Sequence, residues 1–235
     1  MSGKEITING KDGNFQGYLA SPSSGNGGGV IVIQEIFGIN KWMRQITDYF
    51  AAQGYFALAP DLFWRLQPGI QLDPTVPEQF QKGLEYYGKF NVDAAVEDIQ
   101  ASINALKKLP VCNGNIGTTG FCLGGTLTYL SACRTDGKAH SSYYGVGIDQ
   151  MLGERSKIKT PTIFHIAGKD AFVPPHAQAA IRDAFATEKE KNIHVYVYDD
   201  ADHGFARETD SKHYSPAAAK LAHQRTLELF KSNLA

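Results

Sequence analysis

The stretch Asn115-Ile116-Gly117-Thr118-Thr119-Gly120-Phe121-Cys122-Leu123-Gly124-Gly125-Thr126-Leu127 decides the fold. Its first half is short, apolar and rich in β-branched residues, as a buried strand is. Its second half can open a helix. The junction is Gly120-Phe121-Cys122-Leu123-Gly124, with a glycine two residues to either side of a cysteine. A strand that turns into a helix this sharply forces the central residue into a strained conformation and brings its neighbours too close for a Cβ. The side chain of Cys122 is thereby lifted clear, at the positive end of the following helix. Amide N–H groups there favour a thiolate and a developing oxyanion. Against this stands the commonest fate of a free cysteine, a small buried hydrophobe.

Outward from this turn the chain alternates. Apolar runs recur at Val30–Gln34, Tyr55–Ala59, Ile116–Phe121, Ser142–Val146, Thr162–Ala167 and Ile193–Tyr198. They read as strands buried on both faces of a parallel sheet. The clearest helix between them is Val92 to Leu109, where Val92, Val96, Ile99, Ile103 and Leu106 share one face; Asn91 caps it and Pro110 follows it. Another helix runs from Ser215 to the C-terminus, with Pro216 in its first turn. Glu5–Ile8 and Phe15–Leu19 have no helix between them and read as an antiparallel edge hairpin. Ser21 to Gly29 reads as a flexible turn between strands, and Pro60 to Pro77 as a long loop. This pattern predicts a doubly wound α/β architecture.

The bulk numbers fit one α/β domain spanning residues 1–235. With 23 basic and 24 acidic residues the formal charge is −1, which gives no electrostatic case for nucleic acid or an anionic membrane. No apolar run reaches the roughly 18 residues of a spanning helix, and the N-terminus lacks the apolar core of a signal peptide. The three cysteines have neither disulfide nor metal-site spacing. A soluble, cytoplasmic protein is expected.

Two downstream strand ends supply partners for Cys122. Phe164-His165-Ile166-Ala167-Gly168-Lys169-Asp170 is a strand that ends in an acidic loop. Val195 to Tyr198 leads through Asp199, Asp200, Ala201 and Asp202 to His203. Nucleophile, acid and histidine thus follow in the order used by α/β-hydrolases, in which a Gly-x-Ser-x-Gly elbow carries the nucleophile. Asp199, Asp200 and Asp202 are rival acids, but they crowd the same strand exit as His203. His165 lies inside an apolar strand and reads as a core residue. His140, His176, His194, His213 and His223 read as surface groups, and Cys112 and Cys133 as structural.

Val30 to Gln34 exits into Glu35-Ile36-Phe37-Gly38. This loop supplies the second oxyanion donor in such folds, so the backbone N–H groups of Ile36 and Leu123 are the candidates. Glu35 is either an exposed loop charge or a carboxylate placed to hydrogen-bond the Cys122 thiol and move a proton.

The chain resembles the dienelactone hydrolases, or carboxymethylenebutenolidases, over nearly its whole length. The resemblance is carried by Gln34–Gly38, Ala59-Pro60-Asp61-Leu62, Gly120–Gly125, Tyr143-Tyr144-Gly145-Val146-Gly147, Gly168-Lys169-Asp170 with Phe172-Val173-Pro174, and His203-Gly204-Phe205-Ala206-Arg207. It implies an α/β-hydrolase fold with a mostly parallel eight-stranded sheet and helices on both faces. It implies a monomer with no cofactor and no metal. It further implies a triad of Cys122, His203 and Asp170, with Glu35 holding the resting thiol. Arg207 would grip a substrate carboxylate, in a pocket that includes Phe37, Phe80 and Tyr144. The implied reaction opens a carboxylate-bearing enol lactone, dienelactone, to maleylacetate.

The sequence also departs from that family. A second carboxylate-binding arginine belongs near Phe80, where the chain reads Pro77-Glu78-Gln79-Phe80-Gln81-Lys82 and offers only Lys82. A tyrosine and a serine of the family's pocket fall on Leu84 and Gly204. One missing charge-assisted contact weakens binding about tenfold to a hundredfold. A broad carboxylesterase or thioesterase is therefore the alternative, and a non-catalytic ligand-binding protein is the alternative of another class.

Overall fold

The computed structural model describes residues 3–186 and 192–235. An eight-stranded sheet runs through it in the order β1-β2-β4-β3-β5-β6-β7-β8. The strands are β1 (Lys4–Asn9), β2 (Asn14–Ala20), β3 (Gly27–Ile33), β4 (Phe56–Pro60), β5 (Cys112–Phe121), β6 (His140–Tyr143), β7 (Thr162–Ala167) and β8 (Ile193–Tyr198). Only β2 runs against its neighbours, pairing antiparallel with β1 and β4. From β4 to β8 the pairing is parallel. The hairpin expected at the edge is present, and the sheet is mostly parallel as the alternation implied.

Parallel strands need covered faces, and β3 shows how the sequence meets that need. Ile31 and Ile33 join one core cluster, whereas Val30 and Val32 join another on the opposite face. The first cluster is covered by α2 (Pro77–Gly88), α3 (Val92–Lys107), α4 (Leu123–Arg134) and α5 (Pro175–Phe185). The second is covered by α1 (Lys41–Ala52) and α6 (Pro216–Leu234). In α3 the stripe Val96, Ile99, Ile103 and Leu106 is buried, and Asn91 accepts the N–H of Ala94 as its cap. Among the described residues no helix is long and apolar enough to cross a membrane.

Several expected boundaries moved, among them the start of β5, at Cys112, and two show their physical reason. Gly27, Gly28 and Gly29 belong to β3 rather than to the preceding turn. Neighbouring chain comes so close that a Cβ on Gly28 would lie 2.3 Å from the Leu234 carbonyl oxygen, and one on Gly29 2.6 Å from Ile116 Cδ1. Glycine here serves close packing, not a turn. The strand expected at Ser142–Val146 is instead His140–Tyr143, because Tyr144 takes φ 37° and ends it.

Candidate active site

Cys122, Asp170, His203 and Glu35 all follow the carboxyl ends of parallel strands, where such sheets leave a crevice. The turn after β5 is as tight as its glycines suggested. Cys122 sits at φ 57° and ψ −116°, at the cap of α4. Backbone geometry of this kind costs about 1–3 kcal/mol and persists only where the surroundings enforce it. They do so here: a Cβ on Gly120 would lie 2.2 Å from the Gly124 carbonyl oxygen, and one on Gly124 2.3 Å from the Ile33 carbonyl oxygen. Cys122 N–H is fixed by the Tyr143 carbonyl at 3.1 Å.

Asp170 and His203 come from the ends of β7 and β8 and meet there. His203 Nδ1 lies 2.8 Å from Asp170 Oδ2. The other oxygen, Oδ1, accepts the amides of Phe172 at 2.8 Å and Val173 at 3.2 Å, so the carboxylate cannot rotate freely. The imidazole is wedged edge-on between Tyr144 and Phe172, at centroid distances of 5.0 and 4.9 Å. Cys122 lines the same cavity as the ring. Burial disfavours the imidazolium, but the thiolate charge of Cys122 and the Asp170 hydrogen bond outweigh burial and raise the His203 pKa to about 10. The rival acid Asp200 instead faces solvent, paired with Lys169 at 2.9 Å.

Cys122 and His203 open into a cavity of about 540 Å³ walled chiefly by Ile36, Phe37, Phe80, Leu84, Tyr87 and Phe172. Phe37 and Phe80 pack together at 5.7 Å, so both expected aromatic residues belong to this wall. The loop after β3 places Ile36 at the cavity, and Leu123 opens α4. Among the described residues neither backbone N–H is taken by a protein acceptor, as the first amides of a helix generally are not.

Three expected roles need correction. Glu35 does not hold the thiol. It is buried, and both its oxygens accept from Arg207 Nη1, at 2.9 and 2.8 Å. A guanidinium is the strongest partner within reach of a desolvated carboxylate, and it wins. Arg207 is accordingly not a free carboxylate clamp, since its Nη2 donates to Asp210 at 2.9 Å and its Nε is buried without a partner among the described residues. Tyr144 is not a wall residue. It is fully buried behind His203, and its hydroxyl finds no partner among the described residues.

Several histidines were also misplaced by sequence. His140 is buried, with Nδ1 2.8 Å from Thr118 Oγ1. His223 is buried too, 3.0 Å from the Tyr143 hydroxyl. His213 bonds Asp210 at 2.7 Å and contributes to the cavity wall. His165 is a core residue as expected, held by Tyr198 and Thr226. Asp210 and Lys212 went unmarked in the sequence, and His213 read only as a surface group, because their loop shows no periodicity and no motif. The spacing Arg207-x-x-Asp210 was the available signal. Lys82 pairs with Glu85 at 2.9 Å and is absent from the cavity wall. Among the described residues no cluster of three histidine, cysteine or acidic side chains could hold a metal ion.

Residues 15–234 match the family model described as the dienelactone hydrolase family. The chain belongs to the dienelactone hydrolase family. A carboxymethylenebutenolidase of Pseudomonas putida is 36% identical over 224 residues, covering 95% of this chain and 94% of its own. Carboxymethylenebutenolidase 1 of Cupriavidus pinatubonensis is 34% identical over 227 residues, covering 97% and 95%. Among solved structures, a Klebsiella pneumoniae protein assigned to the dienelactone hydrolases has a TM-score of 0.82 at 27% identity, covering 97% of both chains. The fold is therefore the α/β-hydrolase fold, and the chain is a hydrolase of this family. Within that frame Gly204 has a local explanation. At φ 82° it sits so close to Arg207 that a Cβ would lie 2.7 Å from Nη2. A serine there would crowd the guanidinium off Asp210.

Proposed function

We propose that this hydrolase opens a compact lactone or ester through a Cys122 acyl-enzyme, with dienelactone as the leading substrate. The reading is carried by one observation: His203, fixed by Asp170, lines the same largely apolar cavity as Cys122, whose charge acts on the ring. The substrate follows from the names of the Pseudomonas and Cupriavidus relatives.

A thiolate at Cys122 attacks the carbonyl carbon while His203 keeps the proton. The negative oxygen of the tetrahedral intermediate is met by the N–H groups of Ile36 and Leu123. Collapse expels the alkoxide or enolate, which takes the His203 proton and leaves a thioester on Cys122. His203, now neutral, removes a proton from water, and the hydroxide releases the acid and restores the thiolate. Asp170 holds the imidazole in the tautomer both steps need. Glu35 fixes Arg207 instead of guarding the thiol.

Dienelactone and a neutral aryl acetate, assayed with wild type and Cys122→Ala, test this reading. Wild type is expected to hydrolyse at least one of them and to carry an acyl adduct on Cys122 in quenched mass spectra. Retained hydrolysis in Cys122→Ala would overturn the nucleophile. Broad ester hydrolysis is the second reading, favoured by the apolar wall and by the engaged terminal nitrogens of Arg207; a neutral ester turned over faster than dienelactone would establish it.

A further inference from the structure

Besides His203, which Asp170 holds, four basic side chains among the described residues contribute to the cavity wall: Lys169, Arg207, Lys212 and His213. Three of them are spoken for. Lys169 Nζ lies 2.9 Å from Asp200. Arg207 is held between Glu35 and Asp210 at 2.8 and 2.9 Å. His213 Nδ1 lies 2.7 Å from Asp210. Two carboxylates on one guanidinium leave the Glu35–Arg207–Asp210 cluster without surplus positive charge for a ligand. Among the described residues Lys212 has no carboxylate within ion-pair distance, and it is solvent-exposed.

The backbone of Lys212 is also held in place. Its backbone N–H donates to Asp210 Oδ1 at 3.2 Å. The carbonyl of Asp210 accepts the next two amides, those of His213 at 3.2 Å and Tyr214 at 2.9 Å, and Ser215 N–H returns to the Phe205 carbonyl at 3.0 Å. One residue, Asp210, thus both offsets the charge of Arg207 and anchors the loop that presents Lys212. Among the described residues the wall has one acidic residue, Asp202, next in sequence to His203.

We propose that Lys212 is the specificity-determining cation of this cavity, drawing carboxylate-bearing lactones or esters to Cys122 in place of Arg207. The inference deepens the reading of the cavity as a lactone- or ester-hydrolysing site and rests on it. It assigns the anion preference to the loop after Arg207 and not to α2, where Lys82 is paired away.

Alkylation of Cys122 tests the charge without requiring turnover. Iodoacetate and iodoacetamide react with the same thiol and differ by one negative charge, so the ratio of their rates reports the field at the sulfur. Rates are read on the Cys122 peptide by mass spectrometry, which separates it from Cys112 and Cys133. In Lys212→Gln the iodoacetate-to-iodoacetamide ratio is expected to fall about threefold to fivefold, the scale of a partly solvent-screened ion pair. Lys212→Arg is expected to keep the wild-type ratio, and high salt to erase the difference between wild type and Lys212→Gln. An unchanged ratio in Lys212→Gln, or an equal fall in Lys212→Arg, overturns the proposal. Either result stands apart from the hydrolytic reading, which fails only if Cys122→Ala keeps activity or if wild type hydrolyses neither ester.

Discussion

Asp170 presents one carboxylate oxygen to His203 Nδ1 at 2.8 Å while its other oxygen is pinned by the amides of Phe172 and Val173. This two-sided hold makes Asp170→Asn an informative substitution. The two amides require an acceptor at the Oδ1 position, so the new amide oxygen must sit there and its NH2 must face His203. The ring then becomes an acceptor at Nδ1 and carries its proton on Nε2, where it cannot take one from the thiol or from water. Activity is expected to fall about 10⁴-fold, mostly in kcat, the size seen when a triad histidine is forced into the wrong tautomer. Steady-state kinetics with an unchanged melting temperature would bear this out; a loss under tenfold would not.

The same pair controls the charge of His203. Burial alone would lower its pKa, and the Cys122 thiolate and Asp170 reverse that to about 10. Removing the thiolate leaves burial opposed by Asp170 alone, so Cys122→Ala should shift the His203 titration downward. Ring carbon or nitrogen chemical shifts followed against pH will measure it. A titration indifferent to Cys122→Ala would place the source of the shift elsewhere.

Much of this arrangement is legible in sequence, for identifiable reasons. Apolar runs at Thr162–Ala167 and Ile193–Tyr198 match β7 and β8 to the residue because their ends coincide with changes of polarity. The elbow is legible because only glycine survives a Cβ clash near 2.2 Å on both sides of Cys122. What could not be read was partner choice. By sequence Glu35 could pair with a thiol or a guanidinium, and only the folded distances decide for Arg207. The buried state of His140 and His223 was equally hidden, since their hydrogen-bond partners Thr118 and Tyr143 are 22 and 80 residues away. Tyr144 matched a motif, but its backbone turn at φ 37° sends it behind His203.

Arg207 should matter more to the fold than to binding. It is 5% exposed and bridges two carboxylates, one of them, Glu35, almost fully buried. Replacing it with Met leaves Glu35 desolvated and unpaired. Removing one partner from a buried pair costs about 3–5 kcal/mol. Urea unfolding of Arg207→Met is expected to show a loss of that order. The double variant Arg207→Met with Glu35→Gln is expected to recover part of it, because the stranded charge is gone. A single variant as stable as wild type would mean that water already solvates Glu35.

Stability should also depend on acid pH through three buried histidines. Burial lowers the pKa of His140 and of His223 from 6.5 to about 4, and that of His165 falls well below 6.5, chiefly by burial and further by the charges of His223 and Arg225. Their folded pKa values lie below their unfolded ones. As the pH drops below about 6.5, the unfolded chain therefore binds protons that the fold refuses, and stability falls. Above 6.5 this penalty is absent. Each unit of separation is worth about 1.4 kcal/mol, so His140 and His223 each withdraw about 3 kcal/mol by the time the pH nears 4. The carboxylate of Glu154, lowered from 4.5 to about 2 chiefly by its hydrogen bond with Arg134, withdraws stability only as the pH drops below about 4.5. His203, raised from 6.5 to about 10, acts with the opposite sign and loses its stabilisation as the pH rises above about 6.5, so denaturant melts between pH 6.5 and 5 isolate the three lowered rings. They are expected to show a steady loss of unfolding free energy below pH 6.5, and a flat profile down to pH 5 would mean that these rings gain protons inside the fold as readily as outside it.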